Sequence, residues 1–170
     1  NGQRQAMFLE NTPGLAQRIL RNYDLSAKDS ALVASSSGCN VVPIEIAQEF
    51  QQRGVKVVAL ISRQHSEASE SRHESGKKLH DFADLFPDTG APVGDAMTAI
   101  DGMDTLVSPG STAGGCMLVN ALKAEIASQY FKAGQPPKAL TAAAIVGDER
   151  AAESFEAADG ERPRRLAQPY

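Results

Sequence analysis

The sequence predicts an α/β domain built on a mostly parallel sheet. Three observations carry this. Residues 29–61 run strand, small-residue loop, helix, glycine and strand, the layout of one right-handed βαβ unit. Strand-like and helix-like segments alternate along the rest of the chain. The 170 residues, 42% of them hydrophobic, suit one globular domain with one core.

Each element has a local reason. Thr12-Pro13 reads as a helix start with proline at the first helical position. Leu15, Ile19 and Leu20 give that helix a short apolar stripe, and Tyr23-Asp24 ends it. Residues 29–34 read as a buried strand, because a continuous apolar run suits a parallel sheet covered on both faces. Residues 41–53 read as a helix with Val42, Ile46, Ala47 and Phe50 on one apolar face, stopped by Gly54. Residues 56–61 form the second strand, ending at Ser62. Residues 64–78 are polar and read as a long surface loop, with a short helix over 77–83 and a weak strand over 83–87. A turn-rich loop follows at 91–95 and a short strand at 105–108. A second small-residue loop spans 109–115, and a long helix covers about 116–132, ended by Gly134 and Pro136-Pro137. Residues 140–146 are apolar and suit either strand or helix. No internal repeat is present, so residues 1–158 are expected to form a single domain followed by a frayed tail at 159–170.

Composition narrows the function. A net charge of -4 argues against non-specific nucleic-acid binding, which needs clustered Lys and Arg. No run of 18 apolar residues suggests a membrane span, and Asn1–Gln5 has no signal-peptide character. Two cysteines, Cys39 and Cys116, give neither a disulfide framework nor metal-ligand spacing, so a reducing cytoplasm is the expected setting. No metal and no cofactor are expected. A start without Met suggests a fragment, a processed form or the ordered part of a longer protein.

Four constellations could carry chemistry. Ser35-Ser36-Ser37-Gly38-Cys39-Asn40 lies between a strand and a helix. Its hydroxyls, backbone N–H groups and helix N-terminus favour an anion there, and Gly38 lets a ligand approach the backbone. The same pattern also suits a plain capped turn. Ser108–Gly115 also precedes the long helix, and taken alone it reads better as a capped helix start with flexible glycines. His65 and His73 lie in the polar loop with Arg72 and Lys77, where imidazoles suit proton transfer and the cations an anionic substrate; a solvated loop gives the same composition. Glu45 and Glu125, on the helices after the two loops, are candidate bases for moving a proton between adjacent carbons, although most helical glutamates are simply solvated. Cys39 sits at a helix start, where a thiol pKa can fall, but small-residue packing accounts for it. Both small-residue loops are expected at the carboxyl ends of strands, where α/β sheets bind ligands.

These residues resemble the sugar isomerase (SIS) domain family. The resemblance rests on Val33–Ser62 (strand, Ser-x-Ser-Gly, Pro-Ile-Glu, Arg-Gly, and a second strand ending in Ser). It extends over His65-Ser66, Ser71–Lys77, Gly90–Asp95, and Ser111–Gly114 before a helix bearing Asn120 and Ala124-Glu125. Together the motifs cover about residues 20–150 and are similar to a bacterial subgroup of uncharacterised proteins labelled phosphosugar or phosphoheptose isomerases.

The resemblance implies a flavodoxin-like three-layer α-β-α sandwich and binding of a phosphorylated sugar. It implies phosphate and sugar contacts from Ser35, Ser37, Gly38 and Asn40, with Ser62, Ser111 and Thr112 near the sugar. It also implies a homodimer or homotetramer, without nucleic-acid or membrane partners. As an aldose–ketose isomerase, the protein would use His65 or His73 in ring opening and Glu45 or Glu125 as base. The alternatives are a non-catalytic sugar-phosphate sensor and a remnant that binds nothing. Two departures accompany the resemblance. The family carries an earlier strand with a Gly-Thr-Gly-His-Ser-like loop that is not found in this chain, and a family Gly-Gly-Asp-Glu-His-Asn-like segment reads Val146–Arg150 here, with Arg150 at the histidine position.

Overall fold

A computed structural model describes residues 2–159. The chain divides into two compact units, residues 1–119 and 120–170.

The first unit is organised around the expected βαβ. Strand β1 (Ser30–Ala34) pairs in parallel with β2 (Lys56–Leu60), with Ser30 opposite Lys56 and Ala34 opposite Leu60. Helix α3 (Val41–Gln52) connects them. Asn40 enters it with extended backbone, and Pro43 occupies its first turn, where a missing N–H costs nothing. Gly54, just past the helix, takes the left-handed conformation expected of a stop. The core joins Ile44 and Ala47 of α3, Val57, Ala59 and Ile61 along β2, and Leu79 and Phe82 of a 3-10 turn (Leu79–Phe82). Burying each large aliphatic side chain contributes about 1.5–3 kcal/mol.

Residues 84–89 run beside β2 as a third, irregular strand. Ala59 N–H donates to Leu85 O (2.8 Å), Ile61 N–H to Pro87 O (3.4 Å) and Thr89 N–H to Ile61 O (2.8 Å), with parallel bridges at Val58–Leu85 and Ile61–Asp88. Asp84 secures its start: its carboxylate accepts from Val57 N (2.8 Å) and Lys56 Nζ (2.6 Å). Pro87 cannot donate, which explains the interrupted ladder.

Several expectations need correction. β1 is not covered on both faces: its exposure alternates, Val33 packs toward α3, and Leu32 is 47% exposed. The first helical segment is two helices, α1 (Gln3–Leu9) and α2 (Leu15–Leu20); Thr12-Pro13 lies in the turn between them, and Gly14 is the N-cap of α2. The polar segment after β2 opens with a helical turn, α4 (Arg63–Glu67), because the Ser62 hydroxyl accepts from His65 N–H.

The second sheet is antiparallel, not parallel. β3 (Ala96–Thr98) pairs with β4 (Val107–Pro109). The expected loop at 109–115 is already helix, since α5 runs Gly110–Lys132. Asp95 causes this early start. Its carbonyl accepts from Gly110 N (2.7 Å), and its carboxylate accepts from the backbone N and hydroxyl of Ser111 (2.7 Å each).

The second unit begins within α5 and continues into α6 (Ala143–Val146) and α7 (Asp148–Asp159), which pack on each other. The apolar run 140–146 therefore ends in a helical turn at 143–146 and holds no strand, 140–142 being irregular. Asp159 is the last residue of α7, and the rest of the expected tail, 160–170, lies outside the described residues. No helix among the described residues is long and apolar enough to cross a membrane.

Candidate functional site

The Ser35–Asn40 loop sorts its polarity. Ser36 O accepts from Ser62 N, Gly38 O from Leu79 N and Cys39 O from Arg72 N, each at 2.8 Å. Three carbonyls are thereby turned toward the scaffold. The Ser35 amide likewise donates to the scaffold, to Leu60 O (3.0 Å), but the later amides do not. Among the described residues, the N–H groups of Ser36, Ser37 and Asn40 have no protein partner. Those of Gly38 and Cys39 reach only the loop's own Ser35 and Ser37 hydroxyls, at 3.3 Å. Backbone donors collect at the N-terminus of α3, whose N-cap Asn40 makes no side-chain cap bond. Such a nest of amides beside the positive end of a helix attracts an anion.

Gly38 is required by this turn. Its φ is +65°, and a Cβ there would stand 3.2 Å from Leu79 Cβ and 3.3 Å from Ile61 Cγ2, both core residues. Cys39 is buried behind the loop, its thiol donating to Ser37 O (3.3 Å), which is a packing role.

Two cavities flank the loop. The larger, about 530 Å³, is lined by Ser37, Cys39, Asn40, His65, Arg72 and the intervening 69–71 segment. The smaller, about 220 Å³, brings Ser35 and Ser36 together with Thr89, Ser111, Thr112 and Gly115. The two small-residue stretches therefore do meet. Ser36 Oγ and Thr89 Oγ1 are shielded from water and have no partner among the described residues, so hydrogen-bonding capacity is unused beside this cavity. Thr89 was missed by sequence reading. Its signal is the partner it packs on: a Cβ at Gly114 would fall 2.0 Å from Thr89 O, so only glycine lets α5 approach that backbone.

The helix ends differ in electrostatics. At α5 the first amides already face the Asp95 carboxylate; at α3, Val42 N donates to the Glu10 carbonyl (2.9 Å), and among the described residues no carboxylate accepts from the first amides. The Ser111 hydroxyl donates to Asp95 and so has no proton for a ligand; Thr112 is exposed. Ser62 is fully buried, donates to Ala91 O (2.5 Å), and lines neither cavity.

Within the first unit the candidate acids and bases are dispersed. Both Glu45 oxygens accept from Gly14 N at 3.0 Å, so this carboxylate ties the start of α2 to α3. His73 closes its own turn through Ser75, Nδ1 lying 2.7 Å from Ser75 Oγ. Glu125 belongs to the second unit, is exposed, and accepts from Gln129 Nε2 (3.0 Å). Of the four, only His65 lines a cavity with the serine loop. Its Nδ1 accepts from Gly94 N (3.0 Å), so the neutral ring carries its proton on Nε2. Among the described residues, no group of three or more His, Cys, Asp or Glu is arranged to hold a metal ion.

Residues 1–62, which contain the whole serine loop, match the model of the SIS domain. The match covers this N-terminal segment alone. The chain is also similar to UPF0309 proteins of bacteria: 36% identical over 143 residues to one from Halalkalibacterium halodurans, covering 84% of this chain and 59% of the relative. It is 34% identical over 150 residues to one from Thermoanaerobacter pseudethanolicus, covering 87% and 61% respectively. The chain thus spans about three fifths of the length of these relatives. Their names state a family and no activity.

Proposed function

We propose that this chain binds a phosphorylated sugar, with the phosphate on the Ser36, Ser37 and Asn40 amides and the polyol end in the hydroxyl-lined cavity beside Ser111 and Thr112. One observation carries this reading: the Ser36, Gly38 and Cys39 carbonyls are taken by the scaffold, while the Ser36, Ser37 and Asn40 amides have no protein partner among the described residues. Arg72 and the Nε2–H of His65 supply further donors on the larger side. The SIS match over the same residues supports a sugar phosphate over another anion. With this reading go a three-layer sandwich, a cytoplasmic setting and a homo-oligomer for the whole protein.

Aldose–ketose isomerisation is the finer reading. Binding without turnover is favoured for this chain by a specific observation: both oxygens of the candidate base Glu45 are engaged by Gly14 N–H. A base must reach the proton it removes.

The test is thermal unfolding against a panel of sugar phosphates and the matching unphosphorylated sugars, followed by an isomerase assay on any binder. A ligand that binds only the folded state, at 100 times its Kd, adds about 2.7 kcal/mol. Stabilisation by the phosphate ester alone supports the reading; equal response to sugar and ester, or to neither, overturns it. Product formation would favour the isomerase.

A further inference from the structure

His65 sits at the end of a continuous chain of contacts joining the two cavities. Its ring lines the larger one, and Nδ1 accepts from Gly94 N at 3.0 Å. The next residue, Asp95, is held in the left-handed region at φ +70°, rare for a residue with a side chain. From there it receives Gly110 N, Ser111 N and Ser111 Oγ, all at 2.7 Å. Ser111 and Thr112 line the smaller cavity. Protonating His65 would place an N–H against the Gly94 N–H, two donors with no acceptor between them.

We infer that neutral His65 is a positioning residue and a pH-sensitive latch: it fixes Gly94 and Asp95, and through Asp95 the Ser111–Thr112 wall, and it releases them when protonated. Imidazole is the side chain that ordinarily changes charge near neutrality. The charged and titratable groups around it are Cys39, Glu70 and Arg72 in the shared cavity. Arg63 and Glu67 lie on its own helix, Lys78 reaches Ser66 O, and Asp95 adjoins Gly94. The latch requires no ligand. Its consequence for binding rests on the phosphate-site reading: that site would lose its hydroxyl wall on mild acidification although the protein gains a positive charge.

The test is amide hydrogen exchange at Gly94 and Ser111 by NMR in the ligand-free chain, at pH about 8 and about 5.5, a window in which ordinary carboxylates stay ionised. Protection factors at both amides are expected to fall about fivefold to tenfold on acidification, the order set by one hydrogen bond. In His65→Asn the side-chain oxygen can still accept from Gly94 but does not titrate, so protection should persist at both pH values. In His65→Phe it should be low at both. Unchanged protection in the wild type, or the same acid loss in His65→Asn, overturns the latch. The phosphate reading fails by a separate sign, the absence of any ester-specific thermal shift.

Discussion

Gly38 is the residue on which the amide nest depends. Replacing it with alanine imposes a left-handed conformation on an L residue, at about 1–2 kcal/mol, and presses Cβ on Leu79 and Ile61. Gly38→Ala should therefore lower unfolding stability by about 2 kcal/mol or more and weaken sugar-phosphate binding; denaturant titration and calorimetry check the two effects. Glu45 behaves oppositely. Glu45→Ala removes the acceptor for Gly14 N and should cost about 1–3 kcal/mol of stability. Sugar-phosphate affinity in the folded protein should be unchanged. A stable Glu45→Ala protein that had lost an isomerase activity would restore the base assignment. The loop's place between strand and helix was legible in the sequence, since Ser, Gly and a following helix suffice to predict amides at a helix start. The fate of Glu45 was not: its partner is a backbone N–H 31 positions away, on a turn hidden in a segment of mixed composition.

At the scale of elements, the βαβ unit was the most legible part because apolar periodicity and Gly54 specify the same helix. The start of α5 was misread because glycine and serine normally signal a loop, and the carboxylate that caps this helix lies 16 positions earlier. Gly114→Ala should displace α5 from the Thr89 backbone and perturb the smaller cavity, seen as chemical-shift changes at Thr89 and Ser111.

The third strand makes an acid-sensitive join. Its Asp84 carboxyl is held below the ordinary value of 3.8 by hydrogen bonds from the Lys56 side chain and then Val57 N–H. Asp88 is likewise lowered, by Gly90 and Arg63 N–H. Folded carboxyls with lowered pKa bind fewer protons than unfolded ones. Their stabilisation is therefore present above the ordinary carboxylate range and is lost as pH falls through the lowered folded values. Unfolding stability measured from pH about 6 to about 2 should decline less steeply in Asp84→Asn, which should also be less stable than wild type near neutrality. An identical slope in both proteins would contradict this.

At the scale of the molecule, the sequence carried the α/β class and the SIS resemblance, and its two small-residue stretches line one cavity. It could not show that the stretches serve different ends: one is an open amide nest, the other a helix start already neutralised by Asp95. Nor could it show the uncovered face of β1, because Ala-Leu-Val-Ala reads the same whether one or both faces are packed. The most direct test of the central claim is an amide NMR titration with a hexose phosphate and with the same hexose unphosphorylated. The Ser36, Ser37 and Asn40 amide resonances should shift with the ester and stay still with the free sugar. Stationary resonances at all three, while the ester stabilises the protein, would place the anion elsewhere and contradict the account.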